Sequence, residues 1–337
     1  MRAVAIALVL LSHTIVLIDW PRRFSDMMGH WGVEVFFVLS GFLIGRILIE
    51  NLRDDKSIFS FWWRRWMRTL PSYVLFLMLN TIIALAIQWG IDKWKFLTFL
   101  FFLQNFYKPD SMTFFVESWS LAVEEWFYLL TPLVMYSFKQ RIRSNHLNLA
   151  WLLIGMILFS IILRYLHFNN SLIMDFEAWE WQVRKVVMVR MDSLLMGILG
   201  AYFYVYHERE FFRYRLTFAA AGLGLTGLFM YQYMKASGDG LYFSVPYLLL
   251  VSFAILLLFP LVTTIDLRGY LRRGIEWVSK TSYILYLSHS PIMILLLYYL
   301  SDSPLNRYWL ISIWLVATLV VSYIVHRFFE QPIMDRR

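Results

Sequence analysis

Apolar runs of about 18–22 residues recur along the chain at 2–19, 31–50, 71–90, 118–138, 149–168, 185–206, 216–235, 244–263, 281–300 and 309–327. Each is long enough to cross a hydrocarbon core of roughly 30 Å. The pattern predicts an all-α integral membrane protein of about ten transmembrane helices. One further apolar stretch, "KFLTFLFFLQNF" at 95–106, is too short to cross and predicts a re-entrant or interfacial segment. The connections are short, and neither an internal repeat nor a low-complexity tract is apparent. Residues 1–337 therefore read as a single polytopic domain with no appended soluble domain.

Composition agrees, with 60% hydrophobic and only 16% charged residues, against roughly 25% charged in ordinary soluble domains. The net charge of +8 need not mean nucleic acid, because basic residues in a membrane protein first mark topology. With the N-terminus in the cytosol, 19 Lys and Arg fall on inner loops, from Arg2 through Arg53, Arg143 and Arg273 to Arg336 and Arg337, and nine on outer ones. Both termini are expected inside a multi-pass membrane protein, and no nucleic-acid partner is expected. The absence of cysteine excludes disulfides and thiol chemistry.

Ionisable residues inside spans cost at least roughly 2.5–3.5 kcal/mol each on insertion scales, so each needs a reason. His13 lies eleven residues after Arg2, which is about 1100° of helix, or three turns plus about 20°, and roughly 16 Å of rise. The two share a face. His13 reads either as a hydrogen-bonded packing residue or as a functional imidazole. In "GHWGVEVFFVLSGFLIGRIL", Glu34 stands near the outer end of the second span, where it either faces water or approaches His13 and fixes its tautomer. Gly41 and Gly45 form a small-xxx-small pair for close helix packing.

The segment "FSFWWRRWMRTLPSY" sets three arginines among three tryptophans. It suits an interfacial amphipathic helix; alternatively Arg65 and Arg68, three apart on one face, form two guanidinium forks for a phosphorylated ligand. In "SWSLAVEEWFYLLTPL", Ser118 or Ser120 is placed to cap a helix carrying Glu124 and Glu125, with Glu124 and Tyr128 four apart on one face. Arg190 and Asp192 in "VRMDSLLMG" offer an anion-stabilising cation or an internal ion pair. "SYILYLSHSPI" repeats Tyr283, Tyr286 and His289 at three-residue intervals, a polar stripe for interhelical glue or ligand contact. "FFEQPIM" with Glu330 and Pro332 reads as a helix stop. No metal is expected, since HExxH is missing; the P-loop and GxSxG patterns are missing too. These residues suit an enzyme or a transporter.

Taken in order, Arg2 with ten residues before His13, "GVEVFFVLSGFLIG", Arg65-x-x-Arg68, "WSLAVEEWFYLLTP", "RMDSLLMG", "SYILYLSHSPI" and "FFEQP" resemble the membrane-bound acyltransferase 3 family. These are bacterial O-acyltransferases of surface glycans. The resemblance implies an acyl-CoA donor, commonly acetyl-CoA, on the cytoplasmic side of the bacterial inner membrane and transfer to a carbohydrate or glycolipid hydroxyl. It implies His13 as catalytic histidine with Arg2 paired to it, Arg65 and Arg68 as donor-binding residues, and Glu124 as the motif glutamate. Position 34, more often aspartate in the family, is glutamate here.

On that basis the expected chemistry has His13, oriented by Glu34, as general base, or as a transiently acylated carrier. Arg2, Arg65 and Arg68 would hold the donor. Glu124, Tyr128, Arg190 and His289 would meet substrate or transition state, with Arg190 or a tyrosine hydroxyl stabilising the oxyanion. The competing expectation is a transporter of an acyl donor, glycolipid or ion with His13, Glu34 and Arg190 as a proton relay. Acceptor, acyl length and oligomeric state are left open.

Overall fold

A computed structural model describes residues 1–17, 21–89, 93–109, 114–173, 175–236, 240–300 and 306–335. Arg336, Arg337 and the segment ends at 18–19 and 90 lie outside the described residues. Every described element is helical. The chain begins with α1 (Arg2–Leu17), α2 (Arg22–Arg53), α3 (Ile58–Ala86), the short α4 (Lys93–Leu100), α5 (Ser118–Ser137) and α6 (Lys139–Ser144). Then come α7 (Leu147–Asn169) and α8 (Phe176–Trp179), which runs into a π turn at Glu180–Arg184 and a 3-10 turn at Val187–Val189. There follow α9 (Asp192–Tyr206), α10 (Glu208–Arg213), α11 (Arg215–Lys235), α12 (Leu241–Ser244), α13 (Tyr247–Leu257) and α14 (Phe259–Val262). The last are α15 (Gly269–Leu300), α16 (Arg307–Val325), a π turn at His326–Glu330 and α17 (Gln331–Met334).

Eight of the ten apolar runs each fall mainly on one helix, while 185–206 is divided between a 3-10 turn and α9 and 244–263 among α12, α13 and α14. Among the described residues six stretches are long and apolar enough to cross a membrane. These are α2, α3, α7, α15, Val187–Tyr206 and Arg307–Met334. The shorter apolar helices include Arg2–Ile15 and Tyr247–Val262, while α5 carries two glutamates and α11 is diluted by glycine and polar residues. The expected helix stop at Glu330 is instead a π turn, after which Pro332 sits in the first turn of α17. A proline is tolerated there because no intrahelical donor is lost.

Burial separates the centre from the rim. The most apolar window is 72% buried in α2 and in Val187–Tyr206, but 28% in α7 and 22% in Arg307–Met334, whose apolar faces look outward to where lipid would be. The two central helices meet backbone to backbone. A methyl added at Gly41 would strike the Leu194 carbonyl, and one at Gly197 would strike the Val38 carbonyl and the Phe42 amide. The small-residue reading of Gly41 and Gly45 is thus borne out. On its other side α2 approaches α1 at Gly32, opposite the Ala5 carbonyl.

Gly41→Ala is expected to lower the thermal midpoint of the detergent-purified protein, by the 1–3 kcal/mol typical of overpacking or more. Gly155→Ala on α7, where an added methyl meets nothing within 4 Å, is the opposite control. It should raise stability by up to about 1 kcal/mol through helix propensity. Equal shifts in both variants would refute the close approach.

The expected re-entrant segment is α4 followed by irregular chain folded into the protein. Asn105 Nδ2 donates to the carbonyls of Trp119 (3.0 Å) and Lys185 (2.6 Å), Gln104 Nε2 donates to Ser118 Oγ (3.2 Å), and Tyr73 donates its hydroxyl hydrogen to the Phe99 carbonyl (2.8 Å). Non-helical backbone at membrane depth requires such internal partners. Neither Ser118 nor Ser120 caps α5; each hydroxyl donates to a carbonyl three residues back, Ser118 to Phe115 and Ser120 to Glu117. Outside the spans, Asp55 in the α2–α3 turn bonds Lys139 and Arg143, and the hydrogen bond and charge of Lys139 hold its carboxyl below the usual range. That contact fastens the turn to α6.

Candidate functional site

Two cavities lie end to end between α1, α2, α5 and α15. The first, about 60 Å³, is walled by Arg2, Ser40, Arg65, Arg68, Glu124 and Tyr283 among others. It shares Arg2, Ser40, Arg65 and Arg68 with an open groove of about 580 Å³ that continues past Arg46 and Arg64. The second, about 180 Å³, contains His13, Glu117 and His289. Val33 and Tyr286 line both, so an arginine-rich chamber and a histidine chamber share a wall at these side chains.

Helical periodicity places the residues. On α15, Tyr283 faces the first chamber, Tyr286 both and His289 the second, so the three-residue stripe runs along the passage. On α1, Arg2 faces the first chamber and Val9 and His13 the second, as their shared face requires. On α5, Glu124 and Ser120 face the first and Glu117 the second.

In the arginine chamber, Arg65 Nη2 donates to Glu124 Oε2 at 3.2 Å, and its guanidinium lies 3.9 Å from the Tyr128 ring centroid. The same carboxylate accepts from the Tyr128 hydroxyl (2.5 Å) and, through Oε1, from Ser40 Oγ (3.1 Å). Glu124 is thereby a clamp that aims Arg65. Arg65 lies on a continuous α3, so the tryptophan-arginine segment is no separate interfacial helix. Trp62 is buried with its indole N–H on the Tyr128 carbonyl at 3.0 Å, whereas Trp63 is 60% exposed. Three guanidinium groups with one carboxylate among them leave this chamber cationic. Guanidinium forks of this kind have the charge and geometry that pair with phosphate or carboxylate groups.

In the histidine chamber the rings of His13 and His289 meet edge to face with centroids 4.7 Å apart. His13 Nδ1 bonds the Val9 carbonyl (3.0 Å) and His289 Nδ1 the Leu285 carbonyl (3.1 Å), both one helical turn back. A carbonyl can only accept, so both Nδ1 atoms carry the hydrogen, and in the neutral rings both Nε2 atoms are acceptors. One ring nitrogen of each histidine and a Glu117 carboxylate oxygen all lie within 4.8 Å of one another, the one cluster among the described residues able to hold a metal ion. Arg184 and Lys185 stand on the same chamber's wall. Arg184 is held by Glu180 (2.5 Å) and by His30 (2.7 Å), and the Lys185 ammonium sits 3.7 Å from the Trp181 ring centroid.

Three expected site residues are placed elsewhere. Glu34 does not orient His13. It is fully buried and bonded to Arg190, Ser193 Oγ (2.9 Å) and Ser252 Oγ (3.4 Å), while the His13 Nδ1 it was to hold is taken by Val9. The reason is angular: Glu34 follows Gly32, which faces α1, by two residues or about 200°, and so points away from α1. Arg190 does not line either chamber. It completes a buried network in which Arg164 donates to Asp192 at 2.8 Å and Arg190 pairs with Glu34. His13, Glu34 and Arg190 therefore form no relay. Tyr128 is buried beneath Arg65 and supports it from outside the chamber.

Two residues gain importance that the sequence alone did not give them. Tyr286 stands at the junction, its hydroxyl 2.7 Å from Ser120 Oγ. Glu117 precedes the tryptophan-serine-leucine motif, and an acid at the threshold of an apolar helix was the available signal.

No solved structure matches the chain. It is similar to the O-acetyltransferase OatA of Staphylococcus aureus (strain NCTC 8325 / PS 47), with 26% identity over 335 residues, covering 91% of this chain and 53% of the relative. The putative peptidoglycan O-acetyltransferase YrhL of Bacillus subtilis (strain 168) is 25% identical, with 90% and 50% covered. The peptidoglycan O-acetyltransferase OatA of Listeria monocytogenes is 24% identical, with 99% and 54% covered. The chain thus spans about half the length of the curated relatives it matches. The family model for an acyltransferase domain, acyltransferase 3, matches residues 1–327, nearly the whole of the chain. With buried ionisable groups along a passage through a helical bundle and this match, the chain belongs to the acyltransferase 3 family of O-acyltransferase enzymes.

Proposed function

We propose that the protein is a bacterial cytoplasmic-membrane O-acetyltransferase that moves an acetyl group from cytosolic acetyl-CoA to a hydroxyl of peptidoglycan or a related glycan. The observation that carries this reading is the pair of chambers separated by Val33 and Tyr286. One suits a polyphosphate donor and the other a proton-accepting reaction centre. With both termini in the cytosol, the groove holding Arg2, Arg65 and Arg68 opens to the donor, and the histidine chamber faces the acceptor side.

Arg2, Arg65 and Arg68 bind the phosphates of coenzyme A through charge-assisted hydrogen bonds. The pantetheine arm reaches Tyr286 and presents the thioester carbonyl there. His13 Nε2 takes the proton of the acceptor hydroxyl as its oxygen attacks that carbonyl. The C–S bond then breaks, the O–C ester bond is complete, and the thiolate of coenzyme A takes the proton from His13. The Tyr286 hydroxyl, rather than Arg190, stands at the junction; its hydrogen rests on Ser120 Oγ (2.7 Å) or the Glu117 carbonyl (3.3 Å) and turns from them to donate to the transient oxyanion.

The test uses the purified protein in nanodiscs, acetyl-CoA and a soluble peptidoglycan fragment, reading donor binding and release of free CoA thiol. The double variant Arg65→Gln, Arg68→Gln should weaken acetyl-CoA binding by about a hundredfold or more, since each lost hydrogen bond to a charged group is worth about 1.5–3 kcal/mol. Unchanged donor binding in the double variant, or no CoA release from the wild type, would remove the reading.

A further inference from the structure

The histidine chamber holds more proton-accepting capacity than a single general base requires. His13 and His289 each spend Nδ1–H on their own helix, leaving two acceptor nitrogens, and the Glu117 carboxylate adds a third acceptor. His289 Nε2 and Glu117 Oε2 are buried with no hydrogen-bond partner among the described residues. Two buried acceptors without a donor, beside the part-buried His13, are incomplete, because buried polar atoms require partners. Their partner must bring hydrogens.

The spacing admits two kinds of partner. Acceptors that share oxygen donors at about 2.8 Å and ligands gathered on a metal ion at about 2.0–2.2 Å both fall within the 4.8 Å that contains these groups, so the choice between them rests on the experiment below. The chamber, at about 180 Å³, has room for more than one hydroxyl. Of the cations on its wall among the described residues, Arg184 is engaged with Glu180 and His30, while Lys185 lies over the Trp181 ring and its charge also acts on Glu117.

Resting on the acyltransferase reading above, we propose that Glu117 is an acceptor-binding residue. It takes a hydrogen bond from a second hydroxyl of the sugar, next to the one whose proton passes to His13, with His289 accepting between them. The substrate class is then a glycan that presents two neighbouring hydroxyls, and a lone hydroxyl is a poor acceptor. During transfer the second hydroxyl stays protonated and unacylated, so Glu117 exchanges no proton and the balance of the reaction is unchanged.

The experiment measures CoA thiol release in nanodiscs with acetyl-CoA and two methyl glycosides, one carrying the neighbouring diol and one its monodeoxy counterpart. Wild type, Glu117→Gln, Glu117→Asp and His13→Ala are compared. Wild type should favour the diol by about ten- to hundredfold in kcat/KM, the size expected for one hydrogen bond to a charged group. Glu117→Gln should lose most of that preference through a raised KM for the diol at nearly constant kcat, and Glu117→Asp should restore part of it. A merely structural glutamate would depress both acceptors equally and leave the ratio intact, which overturns the proposal. So does activity abolished by a chelator and restored by zinc, since the three groups would then be metal ligands. Should Glu117→Gln not fold, the wild-type preference and the Glu117→Asp ratio still decide. If His13→Ala turns over normally, the acyltransferase mechanism itself has failed; if only Glu117 is indifferent, that mechanism stands and this inference falls.

Discussion

His13→Ala is expected to lower the rate of acceptor-dependent CoA release by about 10²–10⁴-fold while leaving acetyl-CoA binding within about twofold. The size is that of a lost general base. The separation of effects follows from the architecture: His13 lies in the second chamber, and the arginines proposed to hold the donor lie in the first. His13 bonds Val9 within its own helix and meets the His289 ring across on α15, and neither of these partners lines the arginine chamber. Steady-state turnover combined with equilibrium donor binding in nanodiscs checks this. A His13→Ala protein with wild-type turnover, or one that has lost donor binding to the same degree as turnover, would contradict the assignment.

The second large effect concerns stability. Arg190→Ala is expected to destabilise the protein by about 3–5 kcal/mol, the range for breaking a buried ion pair by removing one partner. Arg190 and Glu34 are both fully buried. Without the guanidinium, the Glu34 carboxylate keeps only Ser193 and Ser252, and Asp192 keeps only Arg164 as a cation. Removing both charges together, as Glu34→Gln with Arg190→Met, should recover a good part of the loss because no unpaired charge remains. Thermal midpoints of the detergent-purified variants give the answer. An Arg190→Ala protein that melts like wild type but has lost turnover would instead return Arg190 to the reaction centre.

These two residues show why a face shared within one helix is legible in the sequence and a partner on another helix is not. His13 and Arg2 were paired by helix arithmetic within a single element, and that arithmetic holds wherever the helix lies. Glu34 and Arg190 depend on which neighbour each face meets. Gly41 and Gly197 decide this by letting α2 and α9 touch at the backbone, which buries Glu34 against α9 and takes it from α1. Glu117 escaped notice for a related reason. It sits at the start of α5, and only the packing of α1, α5 and α15 brings it beside two histidines from distant parts of the chain.

The sequence by itself determined the helices, the small-residue contact between the central pair, the shared face of Arg2 and His13, the arginine pair, and the stripe of Tyr283, Tyr286 and His289. All of these follow from the spacing of residues along one helix, and helical periodicity is a local property. The tertiary structure alone decided that the arginines and histidines occupy two chambers with Tyr286 between them, and that Glu34 and Arg190 bind each other. Those outcomes depend on which faces of different helices meet. In a chain so apolar, nearly every face is able to pack, so the choice rests on small residues and buried charges whose partners lie far away in sequence.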